Sequence, residues 1–201
     1  MDLTEDARHD GVRRRRGAAL EEAILEAAWQ QLIDCGYGSF TIDAIAERAG
    51  TSRSVLYRRW TDRNDLLEAA LGYGLRRDRV TAPDTGSLRG DVLEVLRRSN
   101  ATRAPLAPLM SVFVGSYFAE SGRSFADLRQ KAFGEQPRGA MDEILDRAVA
   151  RGEIDPDRLT PRVRTVAFDL IRHELLMTLE PVQDATIIAI VDEIFLPLVS
   201  P

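Results

Sequence analysis

The chain has 201 residues, is 44% hydrophobic and 29% charged, and carries a net charge of −5 at pH 7. This apolar content is sufficient for packed cores in one large domain or two small ones. No run of about 18 apolar residues occurs, which excludes a membrane-spanning helix, and the acidic balance excludes a general polyanion binder.

Residues 1–16 are polar and charged, and they predict a disordered N-terminal arm that is not a signal peptide. The arginine run from Arg13 to Arg16 either contacts DNA or is a solvated segment that leads into the first helix.

The single cysteine, Cys35, excludes an intrachain disulfide and is typical of a reducing cytosol. A first helix is predicted at about 17–35, where apolar residues recur at helical spacing: Leu20, Ala23, Ile24, Ala27, Ala28 and Leu32.

The next two helices are short and joined by a tight turn. Thr41 is placed to cap the first of them, with Asp43 near its positive end. Gly50 stands where the end of a helix favours a left-handed residue, and Ser52 is placed to cap the second helix. Two helices linked in this way predict a helix-turn-helix, which lays its second helix in the DNA major groove.

The composition of this second helix supports the interpretation. Val55, Leu56 and Trp60 are expected to face inward, and the remaining side chains outward: Arg53, Ser54, Tyr57, Arg58 and Arg59. Between residues 48 and 63 there are five arginines and one acid, a basic surface suited to phosphates. The alternative is a solvated helix that carries surface arginines.

The rest of the chain is also helical in pattern. A helix capped by Asp62 is predicted to run to about residue 79, and the Pro, Gly, Asp and Ser residues of 81–87 mark a loop. Further helices are expected at about 88–100, 105–121, 124–132, 137–151, 161–179 and 184–198. The chain is therefore predicted to be all-α, with about nine helices, a helix-turn-helix domain at 17–62 and a larger domain at 63–201.

The last two predicted helices are apolar on more than one face. Their apolar residues include Val163, Val166, Leu170, Leu175 and Met177, then Ile187, Ile190, Ile194, Phe195 and Leu198. A helix that is apolar on two faces needs two partners, so we expect the pair to form a homodimer interface.

The two short helices and the start of the helix after them resemble the TetR family of transcriptional regulators. The matching motif is Thr41-Ile42-Asp43-Ala44-Ile45-Ala46, Ala49-Gly50-Thr51-Ser52, Leu56-Tyr57, Trp60, Arg63 and Leu66-Leu67. Two positions depart from the family's pattern. Arg63 stands where the family usually has a lysine, and Thr51 stands where it has an apolar residue in the turn. APDTGSLRGD at 82–91 and AVARGEID at 148–155 resemble the ligand-binding half of one TetR subgroup, without identifying a ligand.

The resemblance implies a division of roles on double-stranded operator DNA. It places Thr41, Tyr57 and Arg63 at phosphates. It places Arg53, Ser54 and Val55 nearest the base edges, and the fork of Arg53 matches O6 and N7 of guanine. Val55 contacts a thymine methyl or packs inward, and Arg59 reaches a base or the backbone. Ser52 and Arg58 complete the predicted DNA-binding set.

The larger domain is expected to hold a mostly apolar cavity. Its candidate lining residues are Met110, Phe113, Tyr117, Phe133, Phe168, His173 and Met177, although residues of these types are more often plain core than ligand contacts. With two histidines and one cysteine, no metal site is expected. No catalytic or nucleotide-binding signature is present, so neither an enzyme nor a cofactor is predicted.

Three functions remain on sequence alone. The first is a cytoplasmic, homodimeric repressor, released from a near-palindromic operator by a small apolar or amphipathic effector. The second is a DNA-binding activator or partner-controlled regulator with no such effector. The third, a helical ligand carrier, would leave the basic surface idle.

Overall fold

A computed structural model describes residues 4–106 and 139–200, together with residues 117, 122, 124 and 127; for residues 4–16 and 105 only the backbone is described. These residues contain eight α-helices and no strand, which confirms the all-α prediction. The helices are α1 (Thr4–Cys35), α2 (Ile42–Arg48), α3 (Arg53–Tyr57), α4 (Arg63–Arg77), α5 (Leu88–Arg103), α6 (Ala140–Ala150), α7 (Pro161–Thr178) and α8, which runs from Asp184–Ala189 through Ile190–Phe195 to Leu196–Val199. The helices predicted at about 105–121 and 124–132 lie largely outside the described residues.

The chain forms two compact units. The first comprises residues 1–77 and 116–134, and the second comprises 78–115 and 135–201. Helix α4 belongs to the first unit, because it packs on α1. The domain boundary expected at 62 stays a prediction. Within the described residues, no helix is both long and apolar enough to cross a membrane.

Helix α1 is longer than the sequence pattern indicated. It begins at Thr4, so the segment at 4–16, expected to be a disordered arm, continues the helix. That segment contains no proline, and its single glycine, Gly11, is tolerated in a helix that is already established downstream.

In the described part of the first unit, a small core lies where α1 meets α2 and α4. Its buried side chains come from α1, α2, α3, α4 and the turns between them: Ile24, Ala28, Trp29, Leu32, Tyr37, Phe40, Ile45, Leu56, Trp60, Leu66, Leu67 and Ala70. At the far end, Arg77 of α4 donates to both carboxylate oxygens of Glu26 on α1, at 2.8 and 2.6 Å. Helix α4 is thus held to α1 along its length.

The second unit packs α5, α6, α7 and α8 around one apolar core, which includes Val92, Leu96, Ile144, Ala148, Ile171, Ile187, Val191 and Phe195. Ile187 is only 1% exposed in this core, so it faces its own unit rather than a free surface. Other apolar residues of the closing helices are exposed: Met177, Leu179, Ile194 and Leu198.

A buried carboxylate joins the two sequence motifs of the second unit. Asp91, which is fully buried, accepts hydrogen bonds from the backbone N–H and the hydroxyl of Thr85, at 2.6 and 2.8 Å. Arg147 and Arg151 lie 3.8 and 3.4 Å from its other oxygen. Burial by itself would raise the pKa of Asp91, but the Thr85 hydrogen bonds and the two arginine charges outweigh it and lower that pKa.

Helix α8 contains a π-helical segment, Ile190–Phe195, and the N–H of Leu196, the residue after it, donates to the carbonyl of Val191. Pro197 follows immediately. Proline cannot donate a hydrogen bond, and its ring clashes with the carbonyl four residues earlier. The wider π-turn accommodates the proline without breaking the helix.

The contact between α1 and α4 requires a glycine. A Cβ atom at Gly74 would overlap the buried indole ring of Trp29. We predict that Gly74→Ala lowers the free energy of unfolding by about 1–3 kcal/mol, because the well-packed core must move. Gly17→Ala is the matched control: that glycine also lies in a helix, and a Cβ there meets nothing, so the change should stabilise by up to about 1 kcal/mol. Urea unfolding of both variants measures the difference. A Gly74→Ala protein as stable as the Gly17→Ala protein would contradict this packing.

Candidate nucleic-acid interface

The turn between α2 and α3 has the geometry that the sequence predicted. The hydroxyl of Thr41 accepts a hydrogen bond from the N–H of Ala44 at 3.2 Å, which confirms the cap of α2. Gly50 has a φ of 61°, and the N–H of Thr51 donates to the carbonyl of Ala46 at 2.9 Å. This left-handed closure ends α2 and turns the chain directly into α3.

Two large buried side chains hold α3 in place. Leu56 has no exposed surface and Trp60 is 6% exposed. Ser52 occupies the N-cap position, as predicted, but its side chain does not cap the helix. Its hydroxyl instead forms a hydrogen bond with the hydroxyl of Ser54 at 2.9 Å, so the Ser52 side chain has a local hydrogen-bond partner. The orientation of α3 therefore depends on burial rather than on that cap.

The opposite side of α3 is open to solvent. The side chain of Arg53 is 67% exposed and Tyr57 is 57% exposed, while Ser54 and Arg58 are also exposed. Val55 is half-buried. The structure thus presents Arg53, Ser54, Tyr57 and Arg58 to solvent, together with Thr41, the N-cap residue of α2.

Arg59 is less exposed than the sequence predicted. Its side chain is only 20% exposed and lies 4.0 Å from the carboxylate of Glu21 on α1. It also donates to the carbonyl of Val55 at 3.4 Å. The guanidinium lies between α3 and α1, and its contact with a base or with the DNA backbone stays a prediction.

Arg63 is also engaged within the protein. Its guanidinium stacks over the ring of Tyr37, 4.2 Å from the centroid, and donates to the Tyr37 carbonyl at 2.7 Å. This arginine orders the turn before α2, so its predicted phosphate contact would use only the remaining face of the group. The sequence did not indicate this contact, because residues 37 and 63 meet only in the folded unit.

Four of the seven candidate ligand-binding residues lie in the described part of the chain, and their environments differ. Met110, Phe113 and Phe133 lie outside the described residues. Tyr117 is buried in the first unit, where its hydroxyl donates to Glu68. In the second unit, Phe168 lines a cleft, whereas His173 and Met177 are exposed. These two lie on another side of α7 from Phe168, so they are not part of that cleft.

The cleft in the second unit lies between the end of α5 and α7. Its walls are Ser99, Asn100, Arg103, Phe168, Ile171, Arg172 and Leu175. Desolvation, and then the like charge of Arg172, lower the pKa of Arg103. The cleft thus combines an apolar wall with two neighbouring cations. Sequence analysis identified only Phe168, because the contact between α5 and α7 is tertiary.

Both parts of the chain match models of known protein families. Residues 24–70 match the family described as bacterial regulatory proteins, tetR family. Residues 82–194 match the family described as tetracyclin repressor-like, C-terminal domain. The first match covers the helix-turn-helix, and the second covers the larger part of the chain.

Individual relatives agree with these matches. The chain is 30% identical to the DNA-binding transcriptional repressor TetR of Mycobacteroides abscessus over 190 residues, covering 92% of this chain and 97% of the relative. It is 30% identical to the HTH-type transcriptional regulator AqdR of Rhodococcus erythropolis over 151 residues, covering 75% and 72%. The crystal structure of the TetR family transcription regulator SCO0332 matches with a TM-score of 0.67 and 26% identity, covering 90% of this chain and 99% of that one.

Proposed function

Since this chain belongs to the TetR family of DNA-binding transcriptional regulators, we propose that it is a repressor that a small ligand releases from its operator. The family is not enzymatic, and the chain is a regulator rather than an enzyme. The observation that carries the DNA-binding part is the solvent-facing side of α3, fixed from behind by Leu56 and Trp60.

On the operator, we assign the exposed groups of α3 and α2 to two tasks. Arg53 stands at the first turn of α3, where a recognition helix approaches base edges, and its fork suits guanine. Thr41, Tyr57 and Arg58 contact phosphates, which position the protein without reading sequence. Ser52 and Ser54 lie beside Arg53, and their paired hydroxyls are available to either kind of contact.

We propose that the protein acts as a homodimer through α7 and α8. Met177 is 68% exposed, and Ile194 and Leu198 are about two-fifths exposed. Large apolar side chains at the surface of closing helices favour burial against another subunit. A two-fold pair of recognition helices would read two half-sites about 34 Å apart, which requires a near-palindromic operator.

We assign the effector to the cleft between α5 and α7. Phe168, Ile171 and Leu175 offer an apolar wall, and Arg103 and Arg172 offer cations. Arg172 is partly neutralised by Asp169, whose carboxylate accepts its hydrogen bond at 2.9 Å. This combination favours an amphipathic molecule with an apolar body and an anionic group.

The DNA assignment predicts two different kinds of loss. Arg53→Ala should remove about 1–3 kcal/mol of discrimination between operator and random DNA, because a base contact is lost. Tyr57→Phe should weaken binding to operator and to random DNA equally, by about 1 kcal/mol, because a phosphate contact is lost. Competition binding at fixed salt measures both, with Arg98→Ala on α5 as the control. Full sequence preference in Arg53→Ala would contradict the assignment.

The dimer predicts that a charge at an exposed apolar position of α8 separates the subunits. Ile194→Glu should weaken dimerisation by about 3 kcal/mol, because the carboxylate is buried without a partner on association. Ala101→Glu places the same charge on the exposed surface of α5 and should leave the dimer intact. Sedimentation at micromolar concentration distinguishes the two outcomes. A monomeric wild-type chain would refute the proposal.

The effector cleft predicts a preference for anions. Decanoate should raise the melting temperature more than uncharged decanol, and Arg103→Gln should weaken decanoate binding by about 1.5–3 kcal/mol. Arg98→Gln removes a charge outside the cleft, where Arg98 pairs with Glu94, and should change little. Operator DNA must weaken effector binding by the factor by which the effector weakens operator binding. Equal responses to decanoate and decanol would contradict an anionic effector.

A further inference from the structure

An acidic side chain stands beside the proposed base-reading arginine. The carboxylate of Asp43, in the first turn of α2, forms an ion pair with Nε of Arg53, the first residue of α3. Both side chains are more than half exposed. The sequence suggested only that Asp43 favours the positive end of α2, so this contact across the turn gives the residue a second role.

The pair determines which part of the Arg53 guanidinium remains available. Because Asp43 engages Nε, the two terminal amino groups are left as a fork. Among the residues that the structure describes, no second hydrogen-bond or ion-pair partner of Arg53 occurs. An arginine held from its Nε side presents this fork in a restricted direction, whereas an unpaired arginine would sample many directions and meet any nearby phosphate.

We propose that Asp43 is a specificity-determining residue that acts through Arg53. It holds the guanidinium so that the terminal amino groups meet a guanine edge, and it disfavours the use of the same cation as a phosphate contact. The inference rests on the proposed base-reading role of Arg53. Asp43 is a positioning residue in this scheme and touches no base.

The physical reason is a difference between the two modes of DNA binding. On a matching sequence, the fork meets O6 and N7 of guanine while Nε stays paired, so the Asp43 contact is kept. On a non-matching sequence, the most favourable contact open to Arg53 is a phosphate. To reach it, Arg53 must break its ion pair with Asp43, which leaves the Asp43 carboxylate unpaired near the negatively charged DNA backbone. Asp43 therefore penalises the wrong complex more than the right one, which raises discrimination.

Helix α2 provides a matched control. Glu47 is an exposed acid on the same helix, so Glu47→Gln and Asp43→Asn change the net charge of the DNA-binding unit equally. Neither change removes the cap of α2, which Thr41 provides. Asp43→Ser is a second variant whose side chain is also tolerated at the start of a helix. Thermal melting of each variant checks that the unit remains folded.

The experiment compares two DNA duplexes. One is selected by the full-length wild-type protein from a random library, and the other is a scrambled duplex of the same composition. We expect Asp43→Asn and Asp43→Ser to lower the ratio of the two affinities about tenfold, mainly by strengthening scrambled binding. Their salt dependence on scrambled DNA should steepen by about one phosphate contact. Glu47→Gln should shift both affinities alike and leave the ratio within about twofold of wild type.

The double variant Asp43→Asn, Arg53→Ala separates positioning from direct reading. If Asp43 acts through Arg53, then replacing Asp43 in a protein that already lacks Arg53 should not change the ratio of the affinities for the selected and scrambled duplexes. An equal drop in both backgrounds would mean that Asp43 reads a base itself, and it would overturn the inference. So would an Asp43→Asn protein that behaves like Glu47→Gln. A wild-type protein that selects no sequence would instead refute the proposed function, so the two failures are distinguishable.

Discussion

The burial of Leu56 and Trp60 behind α3 is the constraint on which the DNA-facing surface depends. Helix α3 has only five residues, Arg53–Tyr57, far fewer than the ~12–15 that an isolated helix needs for marginal stability. Its N-cap residue makes no capping hydrogen bond. The helix exists because its inner side is packed, and the direction of its outer side follows from that packing.

Arginine has several different roles in the first unit. Arg77 ties α4 to α1 through Glu26, Arg59 lies against α1, and Arg63 stacks on Tyr37. A residue count therefore overstates the basic surface that is open to DNA. Arg53 and Arg58 remain as the exposed arginines of the α3 segment, and Arg53 is held by Asp43. Such a surface depends on the orientation of a few cations more than on total charge.

The motifs of the second unit also have a structural explanation. APDTGSLRGD supplies Asp91 and Thr85, and AVARGEID supplies Arg151 and Glu153, whose carboxylate accepts from the N–H of Leu88 at 2.6 Å. The network joins the start of α5 to the end of α6. Removing one partner would leave a buried charge uncompensated, which is strongly unfavourable. These motifs therefore have a structural role in joining α5 to α6, and their residues do not line the effector cleft.

The sequence by itself indicated helices α2 to α8, because Thr41, Gly50 and the 3.6-residue apolar period act through neighbours along the chain, but it did not indicate that α1 begins at Thr4. It also indicated the exposed side of α3, since Leu56 and Trp60 had to face inward. Only the tertiary structure decided that Arg59 and Arg63 are engaged internally, that Ile187 belongs to its own core, and that Asp43 meets Arg53. Each of these contacts joins residues on different elements, and local spacing cannot encode which elements pack together or which long side chains then come within reach.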